Sequence, residues 1–255
     1  MITVVKIGGN VIDNPDELHR FMHDFATIEG RKVLVHGGGK VATQISSALG
    51  IPTQMIEGRR VTDAQTIDVV TMVYAGLINK RLVSILQSLG CNAIGLCGAD
   101  ANVIAAHRRP AAPIDYGFVG DIDSVDASFI VSLLNQGITP VFCAITHDGK
   151  GNTLNSNADT IASSVASALA AVEPTQLTYC FEKAGVMLNV DDPSTVIPEI
   201  NADSFARLKA DGTIHSGMLP KIENALRTVN AGVSAVCIKS SRAIADTTAG
   251  TKITR

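Results

Sequence analysis

Short β-branched runs alternate with helical patterns from one end of this chain to the other, an order that confines it to βαβ units around a mainly parallel sheet. The runs predict strands over residues 2–7, 32–36, 92–96, 139–144, 176–180 and 235–239. The periodic stretches between them predict helices over 16–28, 40–49, 64–73, 77–89, 127–135, 158–171, 202–209 and 218–229. Three helices announce their starts. Asn14 precedes Pro15 and Asp16, Asp63 precedes Ala64, and Asn157 precedes Ala158, each able to accept from a first-turn N–H. Over 103–122 the pattern breaks into short runs around Arg108-Arg109-Pro110 and Tyr116-Gly117-Phe118-Val119-Gly120, read as one or two antiparallel hairpins that could cover a site. The one soft boundary lies at 148–152. The expectation is therefore a single domain over 1–255, with an amino-terminal lobe to about 150, a carboxy-terminal lobe from about 151, and a cleft between them under a continuous sheet.

Charge and cysteine content exclude several classes of function. The 21 Lys and Arg balance 24 Asp and Glu to a net charge of −3, and no basic run exceeds a pair, so no footprint for nucleic acid is present. Five scattered cysteines without a Cys-x-x-Cys pair read as reduced thiols of a cytoplasmic protein. A charged residue at Lys6 and glycines right after it rule out the apolar core of a signal peptide. No run of about 18 strongly apolar residues suggests a membrane span, the longest candidate over 161–172 being rich in Ala and Ser. Small molecules and a second copy of the chain remain as partners.

Three motifs carry the chemistry: Lys6-Ile7-Gly8-Gly9, His36-Gly37-Gly38-Gly39-Lys40, and Gly217-Met218-Leu219-Pro220-Lys221. The first two end predicted strands in glycines, where backbone can approach an anion closely. An ammonium at Lys6, on an otherwise apolar strand, is costly to bury without a compensating anion. Lys221, four residues past Gly217, points back toward the start of its helix. Two glycine loops and two distant lysines point to phosphoryl transfer.

Other residues refine that reading. Arg60, in Gly58-Arg59-Arg60-Val61-Thr62-Asp63, offers a guanidinium fork for a carboxylate. Asn155 and Asp159, in Asn155-Ser156-Asn157-Ala158-Asp159, place an amide and a carboxylate across a helix start, with Asp159 able to pair with the lysines or simply to favour the helix dipole. Gly37 to Ala42 satisfies a relaxed dinucleotide fingerprint, but Glu57, the acidic residue at the required distance, does not end a second strand. Neither Gly39-Lys40 nor Gly149-Lys150 is followed by the Ser or Thr of a Walker loop. His19 and His23 have metal-pair spacing on a charged helix and read as a solvated face.

Together with Gly117-Phe118-Val119-Gly120-Asp121 and Gly250-Thr251-Lys252-Ile253, these segments make the chain resemble the amino-acid kinase family over nearly its whole length, and within it the branch acting on N-acylglutamates. The resemblance implies a three-layer αβα sandwich around a mostly parallel sheet, a homodimer, and transfer of the ATP γ-phosphoryl to the side-chain carboxylate of an N-acylated glutamate, the second step of arginine biosynthesis. By motif position, Lys6 and Lys221 would stabilise the transferring group and Asp159 would organise them. Gly8, Gly9 and Gly217 would meet the ATP phosphates, while Gly38 and Gly39 would hold the reacting carboxylate and Arg60 and Asn155 the α-carboxylate. The amino acid would bind the amino-terminal lobe and ATP the carboxy-terminal lobe. Magnesium would arrive with ATP, since no carboxylate cluster is dedicated to it. Acetyl is the expected acyl group. N-succinylglutamate, another amino-acid kinase substrate (aspartate, carbamate or a nucleoside monophosphate) and a non-catalytic sensor are the alternatives.

Two departures from the family pattern stand out. Where relatives read Leu-Thr-Asp, two residues and Gly-Val, this chain reads Leu177-Thr178-Tyr179-Cys180-Phe181-Glu182-Lys183-Ala184-Gly185-Val186, and Ser216 replaces a usual glycine or aspartate. Relatives inhibited by arginine carry an extra helix ahead of the first strand. Five residues precede Lys6 here, so the expectation is an arginine-insensitive dimer joined through the apolar helices of 64–89.

Overall fold

The computed structural model describes residues 1–189, 191–214 and 218–255. In chain order the elements begin with β1 (Ile2–Ile7), α1 (Gly9–Asp13), α2 (Pro15–Thr27), β2 (Arg31–His36), α3 (Gly39–Ala48), β3 (Met55–Ile56), β4 (Arg59–Arg60) and α4 (Ala64–Thr71). A π-helix (Met72–Ile78) then runs into α5 (Asn79–Ser88), followed by β5 (Ala93–Leu96), β6 (Ile104–Arg108), β7 (Gly120–Val125), α6 (Ala127–Asn135), β8 (Thr139–Phe142), β9 (Ile145–His147) and β10 (Thr153–Asn155). The chain closes with α7 (Ala158–Ala170), β11 (Thr175–Phe181), β12 (Glu199–Ile200), α8 (Ala202–Ala210), α9 (Leu219–Asn230), β13 (Ala235–Ser240) and β14 (Thr251–Ile253). The expected α/β class holds: a largely parallel sheet is flanked by helices.

The three expected caps are all formed. Asn14 accepts from the N–H groups of Asp16 and Glu17, Asp63 from Thr66, and Asn157 from Asp159 and Thr160. The expected hairpin is the antiparallel pair of β6 and β7.

The chain divides into two compact units, one comprising residues 1–33 and 162–255, the other 34–161. This differs from a division at about 150, for a physical reason. β1 pairs in parallel with β11 along its whole length, from Ile2 opposite Thr175 to Ile7 opposite Cys180, so the first strand groups with the carboxy-terminal residues. The segment 148–152 is instead a tight turn between β9 and β10, in which the Asp148 carboxylate accepts from the N–H groups of Lys150 and Asn152.

In the first unit the strand order is β12-β14-β13-β11-β1, and α9 packs against β13 and β14. All six residues of β1 are buried, as a strand covered on both faces requires. In the second unit β2, β8 and β5 lie in parallel, with α5 and α6 packed on them. A separate sheet, β10-β9-β6-β7, and the ribbon β3-β4 complete that unit.

The two helices expected over 64–73 and 77–89 are one. Met72–Ile78 forms a π-helix that joins α4 to α5 without a break, an arrangement often found at functional sites. The joined helix, Ala64–Ser88, is the one helix among the described residues long and apolar enough by length and composition to cross a membrane, and 44% of its most apolar window is buried inside the protein. Fusion of the two helices is what the sequence reading missed.

Candidate active site

Within the second unit, three segments remote in sequence are knitted together by backbone hydrogen bonds. Thr62 donates its N–H to Tyr116 O and accepts from Phe118 N, and Asn155 donates its N–H to Phe118 O. The Asn155 amide also donates to Thr62 Oγ1 at 3.1 Å, and Thr62 Oγ1 donates to Arg60 O at 3.0 Å. Gly117 makes this approach possible. Its φ is +73°, and a Cβ there would lie 2.1 Å from Thr62 O.

Arg60 is buried on β4, and its guanidinium reaches across to the first turn of α3. Nη2 donates to Gly39 O at 2.9 Å and Thr43 Oγ1 at 2.8 Å, and Nη1 donates to Thr53 Oγ1 at 3.2 Å. Every acceptor is neutral. Among the described residues no carboxylate pairs with it, so a buried charge is held by hydroxyls and a carbonyl with N–H capacity to spare.

The glycine loop after β2 is shaped from beneath. Gly38 has φ +154°, a backbone that L side chains rarely adopt, and a Cβ on it would fall 2.2 Å from Ile78 Cδ1 and 3.2 Å from Tyr74 Cδ1. Both neighbours belong to the π-helix. Gly38 precedes α3 and supplies no side-chain cap to the N–H groups of its first turn. On the other side, a Cβ at Gly37 would touch Ala158 Cβ at 3.6 Å, so this loop lies beside the start of α7, whose first turn carries Asp159.

His36 locks the loop's base. Nδ1–H donates to Gly37 O at 2.8 Å, and Nε2 accepts from the Asn79 amide at 3.0 Å, which also donates to Val141 O. Complete burial pushes the imidazole down to about 4, with Lys80 acting in the same direction. Below pH 6.5 the unfolded chain takes up a proton that the folded imidazole refuses until about pH 4, so stability falls as pH falls through that window. Urea titrations of wild type and His36→Gln, at pH 7 and pH 4, should show the wild-type advantage shrinking by about 3 kcal/mol. A constant difference would mean that His36 is not held neutral.

In the first unit Lys6 and Lys221 share one aromatic ring. Lys6 Nζ lies 5.4 Å from the Phe181 centroid and Lys221 Nζ lies 3.9 Å from it. Gly8 donates its N–H to Cys180 O at 3.0 Å, and a Cβ on Gly8 would lie 3.1 Å from that oxygen. Gly9 faces open space. Gly217 and Ser216 lie outside the described residues. Sequence reasoning missed Phe181, although the unusual segment around Tyr179 marked the place.

No cluster of three or more His, Cys, Asp or Glu able to hold a metal ion exists among the described residues. In the β6–β7 region Arg109 forks onto Asp121 and lowers its carboxyl below the usual range. Arg108 instead donates to Gly117 O at 2.8 Å and lies over the Phe118 ring.

The sequence pattern of the amino acid kinase family matches residues 1–240. This chain belongs to that family. Among individual amino acid kinases, the acetylglutamate kinase of Bacteroides fragilis is 51% identical over 252 residues, covering 99% of this chain and 96% of that protein. The acetylglutamate kinase of Bacteroides thetaiotaomicron is also 51% identical over 252 residues, covering 99% and 98%. The crystal structure of smu.665 from Streptococcus mutans UA159 superposes with a TM-score of 0.78 at 29% identity, covering 99% of this chain and 98% of that one.

Proposed function

We propose that this amino acid kinase transfers the γ-phosphoryl group of ATP to the side-chain carboxylate of N-acetyl-L-glutamate, giving an acyl phosphate, the second step of arginine biosynthesis. The observation that carries the reading is Arg60, a buried guanidinium without a carboxylate partner among the described residues, fixed beside the Gly38–Gly39 loop. The names of relatives at 51% identity over nearly the full chain support it.

The second unit takes the amino acid. Arg60 and Asn155 hold its α-carboxylate, and Gly38 and Gly39 receive the reacting end at the uncapped start of α3. The first unit takes ATP, with Gly8, Gly9 and Gly217 at the phosphates. A glutamate side chain with a pKa of about 4.3 is already ionised at neutral pH, so no general base is required. One carboxylate oxygen bonds to the γ-phosphorus, the bond to the bridging oxygen breaks, and ADP leaves with the electron pair. The obstacle is the approach of one anion to another. Lys6 and Lys221 offset it by neutralising charge on the transferring group, and Asp159 orients the lysines. Magnesium would arrive with ATP and would supply neutralisation of charge on its phosphates.

A second copy of the chain is the proposed partner. Met72, Leu77 and Leu89 on or beside the joined helix are 57%, 42% and 38% exposed, an apolar surface suited to a homodimer that light scattering would detect. Free cysteines at all five positions suit the cytoplasm.

Incubation with ATP and N-acetylglutamate in the presence of hydroxylamine should accumulate the hydroxamate of the acyl phosphate. No hydroxamate would refute the function, and a clear preference for N-succinylglutamate in the same assay would reassign the acyl group. Arg60→Lys should raise the amino-acid KM about tenfold with the ATP KM little changed, because a point charge cannot reproduce a two-bond fork. An unchanged amino-acid KM would remove Arg60 from the site.

A further inference from the structure

We propose that Phe181 is a positioning residue for both lysines, its ring seating the two ammonium groups at the end of β11; this rests on the phosphoryl-transfer role proposed above for Lys6 and Lys221. Both Nζ atoms lie within the reach of a cation–π contact, at 5.4 and 3.9 Å from one centroid. Their mutual separation is bounded by those two distances taken together. The negative face of the ring attracts each ammonium group, and the ring itself carries no net charge.

The surrounding geometry fixes the ring. Lys6 lies opposite Tyr179 in the parallel ladder, and Phe181, two residues on, shares the face of Tyr179. The two rings stack with centroids 6.1 Å apart and planes inclined by 19°. Asn224 on α9 donates to Tyr179 Oη at 3.0 Å, one helical turn beyond Lys221. The aromatic pair therefore grips α9 at two points, through Asn224 and through Lys221. The glycine loop joins the same cluster, because a Cβ on Gly8 would lie 3.9 Å from Phe181 Cδ1. The segment that departs from the family pattern thus contains the element on which both lysines converge.

Fluorinated phenylalanines carrying one, two and three fluorines at position 181 weaken the quadrupole with little change in shape. kcat for acyl-phosphate formation should fall stepwise across the series, by about tenfold at three fluorines, while the amino-acid KM and the melting temperature stay near wild type. Phe181→Trp should retain activity, and Phe181→Leu should lose at least as much as the trifluorinated protein. A flat fluorine series with loss only in Phe181→Leu would show that the ring merely fills space, and would overturn the proposal. Carbon-13 spectra of the lysine Cε resonances read the geometry independently of turnover. The Lys221 signal should carry an upfield ring-current shift that disappears in Phe181→Leu. Its absence from wild type overturns the proposal even in an active enzyme, whereas its presence in a protein that makes no hydroxamate leaves Phe181 in place and refutes the assigned reaction.

Discussion

Lys6→Ala and Lys221→Ala should each lower kcat by about 10²- to 10³-fold, the effect of removing one preorganised electrostatic contact worth ~2.7–4 kcal/mol at the barrier. The amino-acid KM should change little. That substrate's proposed contacts, Arg60, Asn155 and the Gly38–Gly39 loop, all belong to the second unit, whereas both lysines belong to the first. Steady-state kinetics on purified variants, with both substrates varied, provide the measurement. Near-normal turnover in either variant would exclude that lysine from phosphoryl transfer. Equal losses would indicate that the two charges act on the same developing anion, and unequal losses would rank them.

Gly117→Ala should be among the most destabilising single substitutions in the chain. Its Cβ would lie 2.1 Å from the Thr62 carbonyl oxygen, a backbone atom that cannot rotate away, so the hydrogen bonds joining Thr62 to Tyr116 and Phe118 must break. A loss of about 3 kcal/mol or more follows from left-handed strain added to the lost contacts. Gly149→Ala isolates the strain. Gly149 has φ +68° but nothing within 4 Å of its Cβ position, so the cost should be only ~1–2 kcal/mol. Urea midpoints for the two variants give the comparison. The amino-acid KM should rise in Gly117→Ala and not in Gly149→Ala, because Arg60 and Asn155 flank the broken segment. Equal destabilisation by the two substitutions would show that the close approach has no energetic weight.

The parts of this fold written in local sequence were the ones legible from it. Caps at Asn14, Asp63 and Asn157 depend on residues two or three positions away, and the expected strands and helices matched within a few residues. What escaped is non-local or out of phase. The parallel pairing of β1 with β11 joins residues 173 positions apart, and no periodicity records it. The π-helix shifts the helical phase near Gly76, so one helix reads as two. Phe181 on a strand reads as core. Its role depends on Lys221, which arrives from a helix with no sequence signal linking it to the ring. Lys6, Arg60 and Asn155 could be picked out as types of chemistry, but the neutral cradle around Arg60 required coordinates in space, since Thr43, Thr53 and Gly39 carry no charge pattern to advertise it.

The π-helix has a consequence for how assembly and catalysis depend on each other. Tyr74 and Ile78 press against the underside of Gly38, while Met72 and Leu77, on the same seven residues, face outward. One short segment therefore carries both the contact to the proposed substrate loop and the proposed partner surface. Thermodynamic reciprocity applies to any such shared wall. If docking of a second copy alters how tightly the loop holds a carboxylate, then the carboxylate must alter the dimer's dissociation constant by the same factor. Dilution and substrate depletion would then be two ways of turning the same dial.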